Sequence, residues 1–238
     1  MHTFLDSKLM AKALRQALAE RGTELGHSDA LELVARQFGF ANWNMLAARI
    51  EAAQLRPLSL PPGWLIASHT NEAHYRLGLD PGARGIALIE SLPGRESAID
   101  RASGETAVLM QQTLADTYRG QRLRLRAELS TEAAETATIW LRIDAADGTV
   151  LGFDNLLESG NGGALSGDCA WSERSIVLDV PPEAATLHFG FLLRGSGRVR
   201  ARKFRFGPVS RDVPTTGRGP RYLQRPSNLD FDAGPAPA

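Results

Sequence analysis

Between Arg122 and Asp144 the chain reads RLRLRAELSTEAAETATIWLRID, two runs of strict apolar alternation separated by a short polar stretch. A period of two is what a strand with one buried face demands. In the first run Leu123, Leu125, Ala127 and Leu129 share one face, and Arg122, Arg124, Arg126 and Glu128 the other. In the second run Ala137, Ile139, Leu141 and Ile143 form the apolar set. The two runs are expected to pair as antiparallel strands of a β-sandwich. Trp140 then falls on the outward face with Thr138, Arg142 and Asp144, and a large ring beside an Arg and an Asp points to a binding surface.

The remaining strand-like runs follow the same logic, and the chain changes character near residue 56. Before it the pattern is helical. Leu9, Ala13, Leu14, Ala17 and Leu18 space one amphipathic helix from Ser7 to Arg21, stopped at Gly22. Ser28 or Asp29 caps a second helix ending at Gly39, and a third runs from about Asn42 to Ala53 with Trp43, Leu46 and Ile50 apolar. Residues 56–63, RPLSLPPG, cannot continue a helix and read as a linker. Ten strand-like runs follow, near 64–69, 75–79, 85–90, 106–114, 121–129, 137–144, 149–153, 172–179, 186–194 and 198–206. Segregated α+β organisation is therefore expected: a three-helix unit over 1–55, the linker, an all-β jelly-roll sandwich over 64–210, and a disordered tail over 211–238.

Composition narrows the function classes. The 238 residues have room for two modest domains, and a formal net charge of zero gives no general attraction to nucleic acid or an anionic membrane. The N-terminus MHTFLDSKLMAKALRQALAE has no signal-peptide core, and no run reaches membrane-span length, so cytoplasmic residence without a membrane partner is expected. The lone Cys169 agrees, since it can form neither an internal disulfide nor a cysteine-rich zinc site.

Two resemblances attach to these segments. Ser7-Lys8, Ala13-Leu14-Arg15, Leu18, Gly22, His27-Ser28, Ala30-Leu31-Glu32, Ala35-Arg36, Phe38-Gly39 and Asn42-Trp43-Asn44 with Leu46 resemble the small glyoxalase-related helical domain, found alone or fused to glyoxalase-superfamily domains. The enzymes of that superfamily take their metal from a βαβββ domain, and nothing after residue 64 has that pattern, so the resemblance implies no catalysis here. Residues 63 to 208 resemble the galactose-binding-like jelly rolls that include many carbohydrate-binding modules, in particular bacterial modules attached to regulators and peptidases. Gly63-Trp64-Leu65, Tyr118-Arg119-Gly120, Trp140-Leu141-Arg142-Ile143-Asp144, Phe153-Asp154-Asn155, Trp171 and Phe204-Arg205-Phe206 carry it. Such modules open on an Asn-Leu-Asp-Phe-Glu strand, which is absent before Gly63. A similar Asn228-Leu229-Asp230-Phe231-Asp232 lies in the tail, either as an added edge strand or, the favoured reading, as the vestige of a second copy. Their last strand carries an Asp-Asp pair where this chain has Arg202-Lys203, which argues against a structural calcium site.

The candidate ligand site comprises Trp140, Arg142 and Asp144 with His188 and Arg194, which alternate against the core set Leu187, Phe189, Phe191 and Leu193. Asp154, Asn155 and the Gly-rich loop from Ser159 to Asp168 would shape its rim. A competing reading has Trp140 covering an edge or packing against the helical unit. His69 and His74 lack a convergent third ligand, Cys169 lacks a His partner, and no catalytic, metal or cofactor site is nominated. The expected function is non-catalytic recognition of a polar, saccharide-like small molecule, or of a protein partner, through the sandwich. The first alternative is a ligand-responsive transcriptional regulator. Leu33 to Asn44 imitates a helix-turn-helix with Gly39 at the turn, and Asn42 and Asn44 would meet base edges. Balanced charge in this unit weighs against it. A glyoxalase-type metalloenzyme stands third.

Overall fold

The computed structural model describes residues 6–54, 56–157 and 163–217. Three helices, α1 (Ser7–Ala19), α2 (His27–Gln37) and α3 (Trp43–Gln54), precede nine strands: β1 (Leu65–Ile66), β2 (Tyr75–Leu79), β3 (Ala87–Ser91), β4 (Thr106–Leu114), β5 (Arg122–Ala145), β6 (Val150–Asp154), β7 (Leu165–Asp179), β8 (Ala184–Arg194) and β9 (Arg198–Val209). No helix of the described residues is long and apolar enough to cross a membrane.

The two alternating runs are one strand and do not pair with each other. The first half of β5 lies between β7 and β9, with Leu125 opposite Ile176 and Phe206. Its second half lies between β8 and β6, with Leu141 opposite Phe189 and Asp154. The sandwich therefore has a layer β7-β5-β9-β3-β2 and a layer β6-β5-β8-β4-β1, all antiparallel and joined through β5. Strands that change sheets do so at bulges or bends, and the polar stretch read as a hairpin turn is that bend. Ala133 sits there with φ 47°, its N–H donating to Asp168 Oδ1. Gly197 lies against it, where a Cβ would collide with the Ala133 carbonyl. Glu135 fastens the bend to the β8–β9 turn. Its carboxylate accepts hydrogen bonds from Ser196 N–H (3.1 Å), Ser196 Oγ (2.7 Å) and Arg101 Nε (2.7 Å).

Both halves of β5 bury their apolar faces in one core with Phe191, Leu193, Ile89 and Val199. Trp64, from the start of the sandwich, packs edge-on against Phe189, Phe191 and Phe204, while Phe189 and Phe206 stack at 4.9 Å. In the helical unit, α1 and α2 close around Ala11, Ala30 and Val34, with Trp43 packed against them. The α2 N-cap is Gly26, and no side chain caps it, so Ser28 and Asp29 do not serve as caps. Its C-terminus takes the expected left-handed stop. Gly39 has φ 80°, and Phe40 N–H donates to Ala35 O while Gly39 N–H donates to Arg36 O.

The linker is laid along β2. Leu79 N–H donates to Ser59 O, and Gly78 has no room for a Cβ because Leu58 crosses it. The chain beyond residue 210 keeps contact with the sandwich as far as Thr216. Arg122 donates to the carbonyls of Arg211 and Val213, and Thr216 N–H donates to Val177 O. The rest of the tail, with Asn228 to Asp232, lies outside the described residues.

The Glu135 fastening has a pH signature. Hydrogen bonding from Arg101, aided by Ser196, holds the Glu135 carboxyl at about 2 against its ordinary 4.5. A depressed carboxyl adds stability above its unfolded value and loses it as pH falls toward the folded one. Glu135→Gln is therefore expected to be less stable than the parent at pH 7, with the gap closing between pH 4.5 and about 2 in urea unfolding. A gap independent of pH contradicts the assignment.

Candidate ligand-binding groove

Alternation along three adjacent strands builds the outer face of the second layer. In register across β4, β8 and β5 lie Gln112, His188 and Arg142; then Met110, Gly190 and Trp140; then Val108, Leu192 and Thr138; then Thr106, Arg194 and Thr136. β1 flanks this floor beyond β4, with Leu65 beside Met110, and β6 flanks it beyond β5, with Phe153 beside Arg142. The result is a groove of about 770 Å³, within the range of small-molecule sites. Six residues of β8 separate the rows of Arg194 and His188, so the floor runs about 20 Å at the rise of an extended strand. Gly190 leaves its centre bare. The β4 backbone passes so close that a Cβ there would collide with the Leu109 carbonyl oxygen.

Trp140 lies on the outward face, as its place in the alternation requires, but it is not an exposed ring. It is 8% exposed and packs with Ala67, Val108, Met110 and Leu192 in a second apolar cluster outside the main core. Its indole Nε1 is buried without a partner among the described residues, as is Arg142 Nε. The open aromatic ring of the groove is Phe153, 48% exposed on the β6 wall, which the sequence reading did not select. Its one signal was a large ring on a short strand beside Arg142.

Of the seven nominated residues, Trp140, Arg142, Asn155 and Arg194 line the groove. Asp144 and His188 stand behind Arg142. Asp144 Oδ2 forms an ion pair with Arg142 Nη2 at 2.9 Å and lies 3.3 Å from His188 Nε2, which is 2.9 Å from Thr186 Oγ1. Burial pushes the His188 imidazole below its ordinary value, against the pull of Asp144. Its Nδ1 is buried and has no partner among the described residues. Asp154 does not line the groove. Its Oδ1 accepts from Leu156 N–H and shapes the turn after β6, which presents Asn155 and Leu157 to the groove. Within the expected rim loop Ser159–Asp168, residues from Leu165 onward belong to β7, and 158–162 lie outside the described residues.

The other nominated positions separate. His69 lines the groove, whereas His74 Nδ1 meets Glu105 Oε1 at 2.8 Å. Cys169 is half-buried, with its thiol on the Ser166 carbonyl. Asn42 caps α3, its Oδ1 accepting from Met45 N–H at 2.9 Å, and both Asn42 and Asn44 are exposed. On the opposite layer, the bases that replace the acidic pair are themselves engaged. Arg202 Nε and Lys203 Nζ both donate to Glu128 at 2.7 Å, and Arg200 donates to Asp80 and Glu132. A residue in the left-handed region, Lys203 at φ 55°, turns two successive side chains toward Glu128.

Comparison with known proteins gives three findings. Residues 1–68 match the model of a family described as glyoxalase superfamily protein. An uncharacterized HTH-type transcriptional regulator of Bacillus subtilis strain 168, YbfP, is 32% identical over 173 residues, covering 71% of this chain and 56% of the relative. The chain thus spans little more than half the length of that protein. Among solved structures, the C-terminal family 22 carbohydrate-binding module of Clostridium thermocellum Xyn10B aligns at 10% identity and TM-score 0.42, over 64% of this chain and 90% of the module. A CBM4 module aligns at 13% identity and TM-score 0.40, over 61% and 86% respectively.

The burial difference between the two rings is measurable. Trp140→Ala is expected to cost on the order of 3–5 kcal/mol through lost packing and a residual cavity. Phe153→Ala should stay within about 0.5 kcal/mol. Denaturant unfolding of both variants checks this, and a near-neutral Trp140→Ala contradicts the packing described.

Proposed function

We propose that this chain is a non-catalytic binding protein whose sandwich holds an elongated, polar, saccharide-like ligand along the groove between β1 and β6. One observation carries the reading: a groove of about 770 Å³ with an apolar central floor also presents the exposed ring of Phe153 on one wall and Asn155, Gln112 and hydroxyls around it. Sugar rings combine an apolar face that can stack on Phe153 with hydroxyls able to pair with those polar groups. Thermal-shift screening of the full chain against neutral and acidic oligosaccharides should raise the melting temperature for at least one, because a ligand bound only to the folded state stabilises it. Phe153→Ala should remove that shift without changing the free protein. A shift that survives Phe153→Ala would place binding elsewhere, and a panel that yields none removes the saccharide reading.

A second reading, ligand-responsive transcriptional regulation, is supported by the α2–turn–α3 arrangement around Gly39 and by the name of the Bacillus subtilis relative. The engaged Asn42 and the balanced charge of the helical unit weigh against it. Electrophoretic mobility shifts with DNA upstream of the encoding gene test it. In either reading we take 1–55 and 64–210 as separate functional units joined by 56–63.

A further inference from the structure

The groove's charge is one-sided. Among the described residues no Asp or Glu lines it, whereas Arg142 and Arg194 do. Arg142 is partly neutralised by Asp144 behind it. Arg194 is exposed and has no ion pair among the described residues. On the outer face of the opposite layer Arg198, Arg200 and Arg202 are each matched to Glu90, Asp80, Glu132 or Glu128, whereas Arg124 has no ion pair among the described residues.

Arg194 also has a close neighbour. It lies across Gly104, where a Cβ would come within 2.8 Å of its guanidinium, and Gly104 is in the left-handed region at φ 70°. Any other residue there would be strained and would displace the arginine. Ser103, Thr106, Ser68 and His69 line the same end of the groove. A planar guanidinium amid hydroxyls, with no resident carboxylate, is the arrangement that grips an oxyanion through paired hydrogen bonds.

Resting on the groove reading above, we infer that the occupant is acidic: a sugar chain bearing carboxylates, one of which docks on Arg194 while the neighbouring units extend along the floor toward Arg142. The shared chemistry is an oxyanion, which a phosphate would also supply, and the test separates the two. Calorimetry on the full chain would compare tetragalacturonate, its fully methyl-esterified form, xylotetraose and inorganic phosphate. The acid is expected to bind about ten-fold tighter than its ester, the gain of one charge-assisted pair. That preference should shrink with salt, because the arginine is exposed. Arg194→Gln should bring the ratio close to one by weakening the acid about ten-fold more than the ester, and Arg194→Lys, which keeps the charge but not the fork, should restore part of it.

Equal binding of acid and ester overturns the acidic assignment and leaves the groove reading standing. Phosphate binding without tetragalacturonate binding overturns the sugar-chain assignment. An acid preference that survives Arg194→Gln overturns the placement at Arg194. If none of the sugars binds, the groove reading falls as well.

Discussion

At the bend of β5, Glu135 gathers Ser196 and Arg101 onto one carboxylate while Gly197 lets the Ala133 backbone pass at close range. The two layers meet through that bend. Before it, β5 supplies Leu123, Leu125 and Leu129 to the core from one layer; after it, Ile139, Leu141 and Ile143 do so from the other. Because side chains alternate along a strand, placing those residues inward puts Trp140 and Arg142 outward. The bend thus sets the inner and outer faces of the second layer together, and the groove floor follows from the same register that packs the core.

The outer faces of the two layers are finished in opposite ways. On the first layer, guanidinium and carboxylate groups alternate from Arg76 through Glu90, Arg198, Glu132 and Arg200 to Asp80, each charge meeting its opposite. On the second layer an apolar cluster takes the place of the ladder, and the polar atoms at its margin lack partners. Leaving a buried donor unpaired costs on the order of 1–3 kcal/mol. Under the proposed reading, the second layer, with its groove and the exposed Phe153, is the face that takes the ligand.

The sequence made the strands legible because their period is local. Leu123 through Leu129 and Ala137 through Ile143 are buried as the alternation requires, and β2 and β4 occupy 75–79 and 106–114 as expected. Pairing was not legible. Ser130 to Glu135 is polar and short, and a hairpin turn and a sheet-changing bend look alike at that range; only contacts with Asp168, Ser196 and Gly197 distinguish them. The outward face of Trp140 could be read from its parity, but its burial could not, since Ala67, Val108, Met110 and Leu192 arrive from distant parts of the chain. Asn42 looked like a base reader because its use as a cap depends on where α3 begins. Arg194 was found by parity, while its lack of an acid partner is a property of the assembled face.

Amide hydrogen exchange of the full chain tests the single-strand description of β5 most directly. If one strand passes through both layers, core amides between Leu123 and Leu129 and between Ala137 and Ile143 should exchange through the same global opening, with equal protection that falls together in denaturant. Exchange of the second run at markedly lower protection, independent of the first, would mean that the layers open separately, and would contradict an account in which one bent strand sets both the core and the groove.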